Sequence, residues 1–121
     1  IGRDISIDDP QLSFGLGFDH NWVLNKSDEN TINLAATVYS PKTGKFINVY
    51  TDQPGIQFYT GNFLDGSIKG KNGTFYNHRN AFCLETQHFP NSPNQHNFPT
   101  TELRPGEQYK TTTIFEFGIK K

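Results

Sequence analysis

Apolar and polar residues alternate with a period of two along much of this chain, the pattern of strands with one buried face. The clearest run is Ile32-Asn33-Leu34-Ala35-Ala36-Thr37-Val38-Tyr39, which puts Ile32, Leu34, Ala36 and Val38 on one face. Ser40-Pro41-Lys42-Thr43-Gly44 follows, with proline near the start of a turn and glycine near its end, and Lys45 to Thr51 then runs back through Phe46-Ile47-Asn48-Val49-Tyr50. That order predicts a hairpin. Further strands are predicted to begin at Trp22-Val23-Leu24-Asn25 and to cover Ile56 to Thr60, Phe82 to His88 and Thr111 to Ile119. The glycine-rich stretch from Gly66 to Gly73 carries Lys69 and Lys71, yet it lacks the spacing of a phosphate loop and no helical pattern follows, so a surface loop is expected. The span from Pro90 to Pro105, rich in proline and asparagine, is expected to be a long loop, either extended and ordered or disordered. No segment of helical length repeats at 3.6 residues. The expected class is all-β, an antiparallel sandwich with an aromatic filling.

Composition narrows this picture. Only 33% of the 121 residues are hydrophobic, and much of that share is aromatic: eleven Phe, five Tyr and one Trp. Aromatic rings bury large areas and offer stacking planes, but so polar a balance leaves little aliphatic core for a free-standing domain. No methionine occurs and the chain starts at Ile1, so it is expected to be one segment, residues 1–121, of a longer polypeptide on which its folding depends. Eleven Lys and Arg stand against twelve Asp and Glu, without the basic stripe that holds a phosphate backbone, and nucleic acid is not an expected partner. No apolar run is long enough to span a membrane. Cys83 is alone, which excludes an internal disulfide and a multi-cysteine zinc site, and it reads as a small buried hydrophobe.

Glu85 is the outstanding chemical candidate, a lone carboxylate inside Phe82-Cys83-Leu84-Glu85-Thr86-Gln87-His88-Phe89-Pro90. A buried carboxylate is costly unless its hydrogen bonds are met, so a carboxylate in an apolar strand usually has a use. Regular alternation also allows a plainer outcome: Phe82, Leu84 and Thr86 face one way and Cys83, Glu85 and Gln87 the other, where Glu85 is simply solvated. The four histidines carry no metal-site spacing. His78, His88 and His96 stand 10 and 8 residues apart in loop-like surroundings, unlike the close pairs of helical zinc sites.

Three segments, Gly17-Phe18-Asp19-His20-Asn21-Trp22, Gln53 to Gly66, and Glu85 to Gln95 followed by Phe98-Pro99 and Leu103-Arg104-Pro105-Gly106-Glu107, resemble the aldose 1-epimerase family, the galactose mutarotases. The motifs come in the family's order and span nearly the whole chain, but only about the last third of a typical member. The resemblance implies a C-terminal portion of a large β-sandwich whose sugar lies in a cleft on one concave sheet. It also implies an isomerase that interconverts the α and β anomers of free hexoses such as galactose or glucose.

That reaction takes a proton from the anomeric hydroxyl and delivers one to the ring oxygen, so that the ring opens, the aldehyde turns and the ring recloses. By resemblance Glu85 is the base, while Asp19 and Gln57 bind the sugar through groups that accept from, and donate to, hydroxyls. On local pattern alone Asp19 is a turn residue and Gln57 a surface amide. The acid histidine, a second active-site histidine and a sugar-binding arginine are implied to lie upstream of Ile1, in a missing N-terminal part of the same protein, which leaves this segment by itself nearly inactive. His20 is expected to be structural and His88 to line a pocket. No cofactor is called for. The alternative is a non-catalytic carbohydrate-binding module of the same fold; a phosphosugar epimerase would need clustered cations, and here there are only Arg79, Arg104 and scattered lysines.

Overall fold

A computed structural model of the chain describes residues 1–26, 28 and 31–120. Its elements in order are a short helix α1 (Pro10–Gly15) and strands β1 (Asp19–Val23), β2 (Asn33–Tyr39), β3 (Lys45–Thr51), β4 (Gly55–Tyr59), β5 (Cys83–Gln87) and β6 (Thr113–Ile119). Single 3-10 turns occur at Lys71–Gly73 and Ser92–Asn94. The strands form two three-stranded sheets, ordered β1-β4-β5 and β2-β3-β6. Two compact units are distinguished, Ile1–Trp22 with Gln57–Glu85, and Val23–Ile56 with Thr86–Lys121.

The hairpin forms, but Ile32 and Leu34 do not join the buried face expected for them: Leu34 stands opposite Tyr50 and Ala36 opposite Val49, on the two faces of β3, and Ile32 and Leu34 are exposed. β2 and β3 pair antiparallel from Asn33↔Thr51 to Tyr39↔Phe46, with an irregularity between Leu34 and Ala36. The turn closes by Gly44 N–H donating to Ser40 O at 2.8 Å, and Gly44 has a φ of 70°, a left-handed conformation that glycine adopts without steric cost. β6 completes the sheet on the other side of β3, antiparallel from Lys45↔Ile119 to Thr51↔Thr113. This register puts Val49 beside Ala36 and Phe115, and Val49 is fully buried, which stabilises the unit by about 2 kcal/mol. Phe115, Phe117 and Ile119 are largely exposed on that same face. On the opposite face a polar ladder crosses all three strands: Thr37 donates to Asn48, Asn48 donates to Glu116 at 2.9 Å, and the Tyr50 hydroxyl donates to the same Glu116 oxygen at 3.1 Å.

Where the elements differ from expectation, the reasons are local. Helix α1 was not signalled by periodicity because six residues make fewer than two turns. Its start was nonetheless written in the chain: Asp9 caps it by accepting from Gln11 N–H, and Pro10 occupies the first turn, where its missing N–H costs nothing. β1 begins three residues earlier than predicted, since Asp19, His20 and Asn21 are polar but lie within the strand. The span from Pro90 to Pro105 is an ordered loop, pinned by an edge-to-face contact of Phe89 with Phe98 at 5.2 Å between centroids. Residues 66–76 fold back on themselves, with Gly66 N–H donating to Tyr76 O and Tyr76 N–H to Ile68 O, and no helix follows them.

Asp52 ties the end of β3 to the start of β6 by accepting from the Thr111 hydroxyl at 2.6 Å and from Thr112 N–H at 2.9 Å. Burial pushes its carboxyl up, but the hydrogen bonds from Thr111, Thr112 and its own N–H, with the charge of Lys26, outweigh this and hold it below the ordinary value. Because the folded carboxyl is the more acidic, its stabilisation is complete above the unfolded value of about 3.9 and fades as pH falls through the folded one. Asp52→Asn should therefore lower stability at neutral pH by about 1 kcal/mol. Urea midpoints compared between neutral pH and about pH 2 should show that deficit shrinking towards zero.

Candidate functional site

The polar residues of β1, β4 and β5 are brought to one face of their sheet by two features, the strand order and the period of two. β4 lies between β1 and β5, so Gln57 stands between Asp19 and the residues of β5. Gln57 Nε2 donates to Asp19 Oδ1 at 2.8 Å, which fixes both side chains on the same side. On β5, Cys83 and Glu85 are exposed and Leu84 between them is half-buried, the alternation expected of a strand with one open face. Cys83 stands on the same exposed face of β5 as Glu85, and burial together with the charges of Glu85 and Asp19 pushes its thiol up. Asp19, Gln57, Cys83 and Glu85 thus form one cluster, with Asp19 and Gln57 half-buried.

The residues immediately before or after these occupy the other face. Phe18, Phe58 and Phe82 make a row, with centroids 5.5 Å apart for the first pair and 6.4 Å for the second. A cavity of about 630 Å3, lined by Leu12, Phe18, His20, Trp22 and Phe58 among others, lies along that side. His20 is held there at both nitrogens. Asp19 N–H donates to Nδ1 at 3.0 Å, so the proton must sit on Nε2, which donates to Gln11 O at 3.0 Å. With both ring atoms engaged by backbone, His20 has a structural role.

The entry to β1 is fixed by Asn62, which is buried. Its Nδ2 donates to Gly15 O at 2.8 Å and Phe18 O at 3.0 Å, and its Oδ1 accepts from the Thr60 hydroxyl at 2.7 Å. Gly17 makes room for it. A Cβ at position 17 would collide with the Asn62 carboxamide, and the backbone φ of 136° disfavours any side chain. Sequence reasoning had no reason to single out Asn62.

Cys83 corrects an expectation, since it is exposed rather than buried. Its small apolar character suggested a core position, but its parity on β5 is that of Glu85. Partial burial and the charges of Glu85 and Asp19 push the thiol up, so it stays protonated near neutral pH.

In the other unit His88 Nδ1–H donates to Gln53 Oε1 at 2.8 Å, and Gln53 Nε2 donates to the Tyr109 hydroxyl at 2.9 Å and the Thr111 hydroxyl at 2.6 Å. His88 lines a cavity of about 310 Å3 with Lys26, Asp52, Tyr109 and Lys110. His78 Nδ1 lies 3.1 Å from Asn62 O. Among the described residues no group of three or more His, Cys, Asp and Glu side chains is arranged to hold a metal ion. Among them too, no helix is long and apolar enough to cross a membrane.

A sequence model described as aldose 1-epimerase matches residues 2–116. The chain belongs to the aldose 1-epimerase family. A galactose mutarotase of Homo sapiens is 52% identical over 103 residues, which cover 85% of this chain and 30% of that protein. An aldose 1-epimerase of Escherichia coli is 34% identical over 119 residues, 97% of this chain and 34% of that protein. A crystal structure of a GalM/aldose epimerase homologue from C. elegans superposes with a TM-score of 0.76 at 30% identity, over 86% of this chain and 30% of that one. The fold is therefore the all-β fold of this family, and the chain spans about a third or less of the length of the curated relatives it matches.

Asn62 offers a test of how the cluster is positioned. Asn62→Ala takes its donor from the Gly15 carbonyl, while Phe18 O and the Thr60 hydroxyl keep their bonds to each other, and should cost about 1 to 3 kcal/mol. A lower urea midpoint and faster amide exchange along β1 are the expected readings; wild-type protection of β1 would show that something else holds Asp19.

Proposed function

We propose that this chain supplies the base and part of the sugar-binding surface of an aldose 1-epimerase acting on a free hexose such as galactose or glucose. The observation that carries the reading is the juxtaposition on one sheet face of Glu85 with the hydrogen-bonded pair Asp19 and Gln57. Glu85 takes the proton from the anomeric hydroxyl, and its solvent exposure in this chain leaves the carboxylate accessible to a ligand. Asp19 accepts from sugar hydroxyls, and Gln57, by donating to Asp19, fixes the orientation of that carboxylate. Ring opening also needs an acid to protonate the ring oxygen. His20 is engaged by backbone at both nitrogens, so the acid is proposed to come from outside this segment, from the rest of a longer polypeptide. That remainder is also proposed to cover exposed apolar residues such as Phe115, Phe117 and Ile119, making the chain one segment of a larger β-sandwich domain.

A positioned general base contributes roughly 100- to 10,000-fold, so in the full-length protein Glu85→Gln should lower kcat by that factor with little change in KM. Asp19→Asn and Gln57→Ala should raise KM as well as lower kcat. Polarimetry of freshly dissolved α-galactose or α-glucose gives the rates. Sugar binding by calorimetry without any turnover in the wild-type protein would instead favour a non-catalytic carbohydrate-binding module.

A further inference from the structure

The cavity of about 310 Å3 beside His88 lies wholly within one of the two compact units, and the proposed sugar-binding cluster uses none of its residues. Its hydrogen bonds can be followed from a fixed end. Asp52 is ionised at neutral pH and can only accept, so the Thr111 hydroxyl spends its single proton on Asp52 Oδ1 at 2.6 Å. With that proton committed, the Gln53 atom that meets the Thr111 oxygen at 2.6 Å must be an N–H donor. This fixes the orientation of the buried Gln53 amide, whose Oε1 then faces His88. An amide oxygen only accepts, which puts the imidazole proton on Nδ1.

Two consequences meet in the cavity. With the proton on Nδ1, Nε2 of the neutral ring carries a lone pair. Nε2 makes no hydrogen bond among the described residues, and the only buried side-chain nitrogen or oxygen without a partner among them is Arg79 Nε, so Nε2 is reached from solvent. Tyr109 accepts from Gln53 Nε2 at 2.9 Å, a bond that leaves its own proton unspent, and the residue is 60% exposed. The two rings stand 6.5 Å apart between centroids. One buried amide thus sets an acceptor on His88 beside a donor on Tyr109.

A ligand group that both donates and accepts is matched by this pair, and a hydroxyl is such a group: its proton goes to Nε2 and its oxygen takes the tyrosyl proton. An anion would use the tyrosyl donor but meet a lone pair at Nε2, and an apolar ligand would leave both groups unpaired. Lys110 adds an exposed ammonium that can donate to a further oxygen, and Pro54 and Pro99 supply apolar walls.

We propose that this cavity is a second binding site, for a polyhydroxylated ligand of monosaccharide size, built from residues other than Asp19, Gln57 and Glu85. It does not depend on the reading of Glu85 as the base. The test uses full-length protein, with glucose, galactose and inorganic phosphate as probes and nitrogen-15 NMR of the imidazoles as the readout. At mildly alkaline pH the free protein should show His88 protonated at Nδ1 alone, and either sugar should move the Nε2 signal saturably. Tyr109→Phe keeps the ring and removes the donor, so it should weaken the affinity read at His88 roughly 10-fold while leaving kcat for mutarotation unchanged.

An Nε2 signal that neither sugar moves would overturn the proposal, and this is the result expected if another part of the full-length chain fills the cavity. So would equal sugar affinity in Tyr109→Phe, a proton found on Nε2 in the free protein, or a signal moved by phosphate alone. Loss or retention of turnover in Glu85→Gln bears on the base and leaves this site untouched.

Discussion

The site depends on a buried carboxamide that is not part of it. Asn62 satisfies the carbonyls of Gly15 and Phe18 and the hydroxyl of Thr60 at once, so the chain leaving α1 has a single way to enter β1. Each such bond contributes only about 1 kcal/mol net, but breaking one inside the protein strands a polar group at about 1 to 3 kcal/mol. Phe18 and Thr60 also bond each other through backbone and hydroxyl, so the Gly15 carbonyl is the group that loses most with Asn62, and the junction holds as one arrangement. From it follow the position of Asp19, the 2.8 Å bond from Gln57, and the face on which Cys83 and Glu85 join them. Gly17 belongs to the same device, because no residue with a side chain leaves space for the amide.

Much of the fold was legible because a period of two is a local signal. The β2–β3 hairpin needed only alternation and a Pro…Gly turn, and β4, β5 and β6 fall within two residues of their predicted bounds. Misreadings occurred where residue type and face disagree. Asp19 looked like a turn residue on its local pattern, yet it opens β1, a strand whose open face carries a polar cluster. Cys83 looked like core because the residue type usually is, while its parity with Glu85 already placed it outside.

The proposed site residues were legible only through the family's motifs. Their local patterns, Phe18-Asp19, Gln57-Phe58 and Phe82-Cys83-Leu84-Glu85, each set an aromatic residue against a polar one, which announces a sheet aromatic behind and polar in front. Which strands are neighbours was not announced. β1, β4 and β5 are far apart in sequence, and bringing β4 between the other two is a long-range choice that alternation does not encode. Asn62 was invisible for a similar reason, since its partners lie 44 and 47 residues away and nothing near it in sequence marks it as buried.

Two carboxylates on one face repel each other, and the structure meets this with a neutral donor on Asp19 and with solvent at Glu85. An arginine or lysine beside Glu85 would hold it firmly but also favour its ionised form so strongly that it became a poor proton acceptor. The amide of Gln57 orients Asp19 without adding a charge to the face. Exposure serves the same end, because a hydrated carboxylate needs no counter-ion and leaves one oxygen accessible. Burying the cluster behind a lid without adding donors would raise the repulsion between Asp19 and Glu85, and the two could not both stay ionised. The open polar face, backed by Phe18, Phe58 and Phe82, therefore keeps both carboxylates in contact with water, which the proposed pairing of a base with a sugar-binding carboxylate requires.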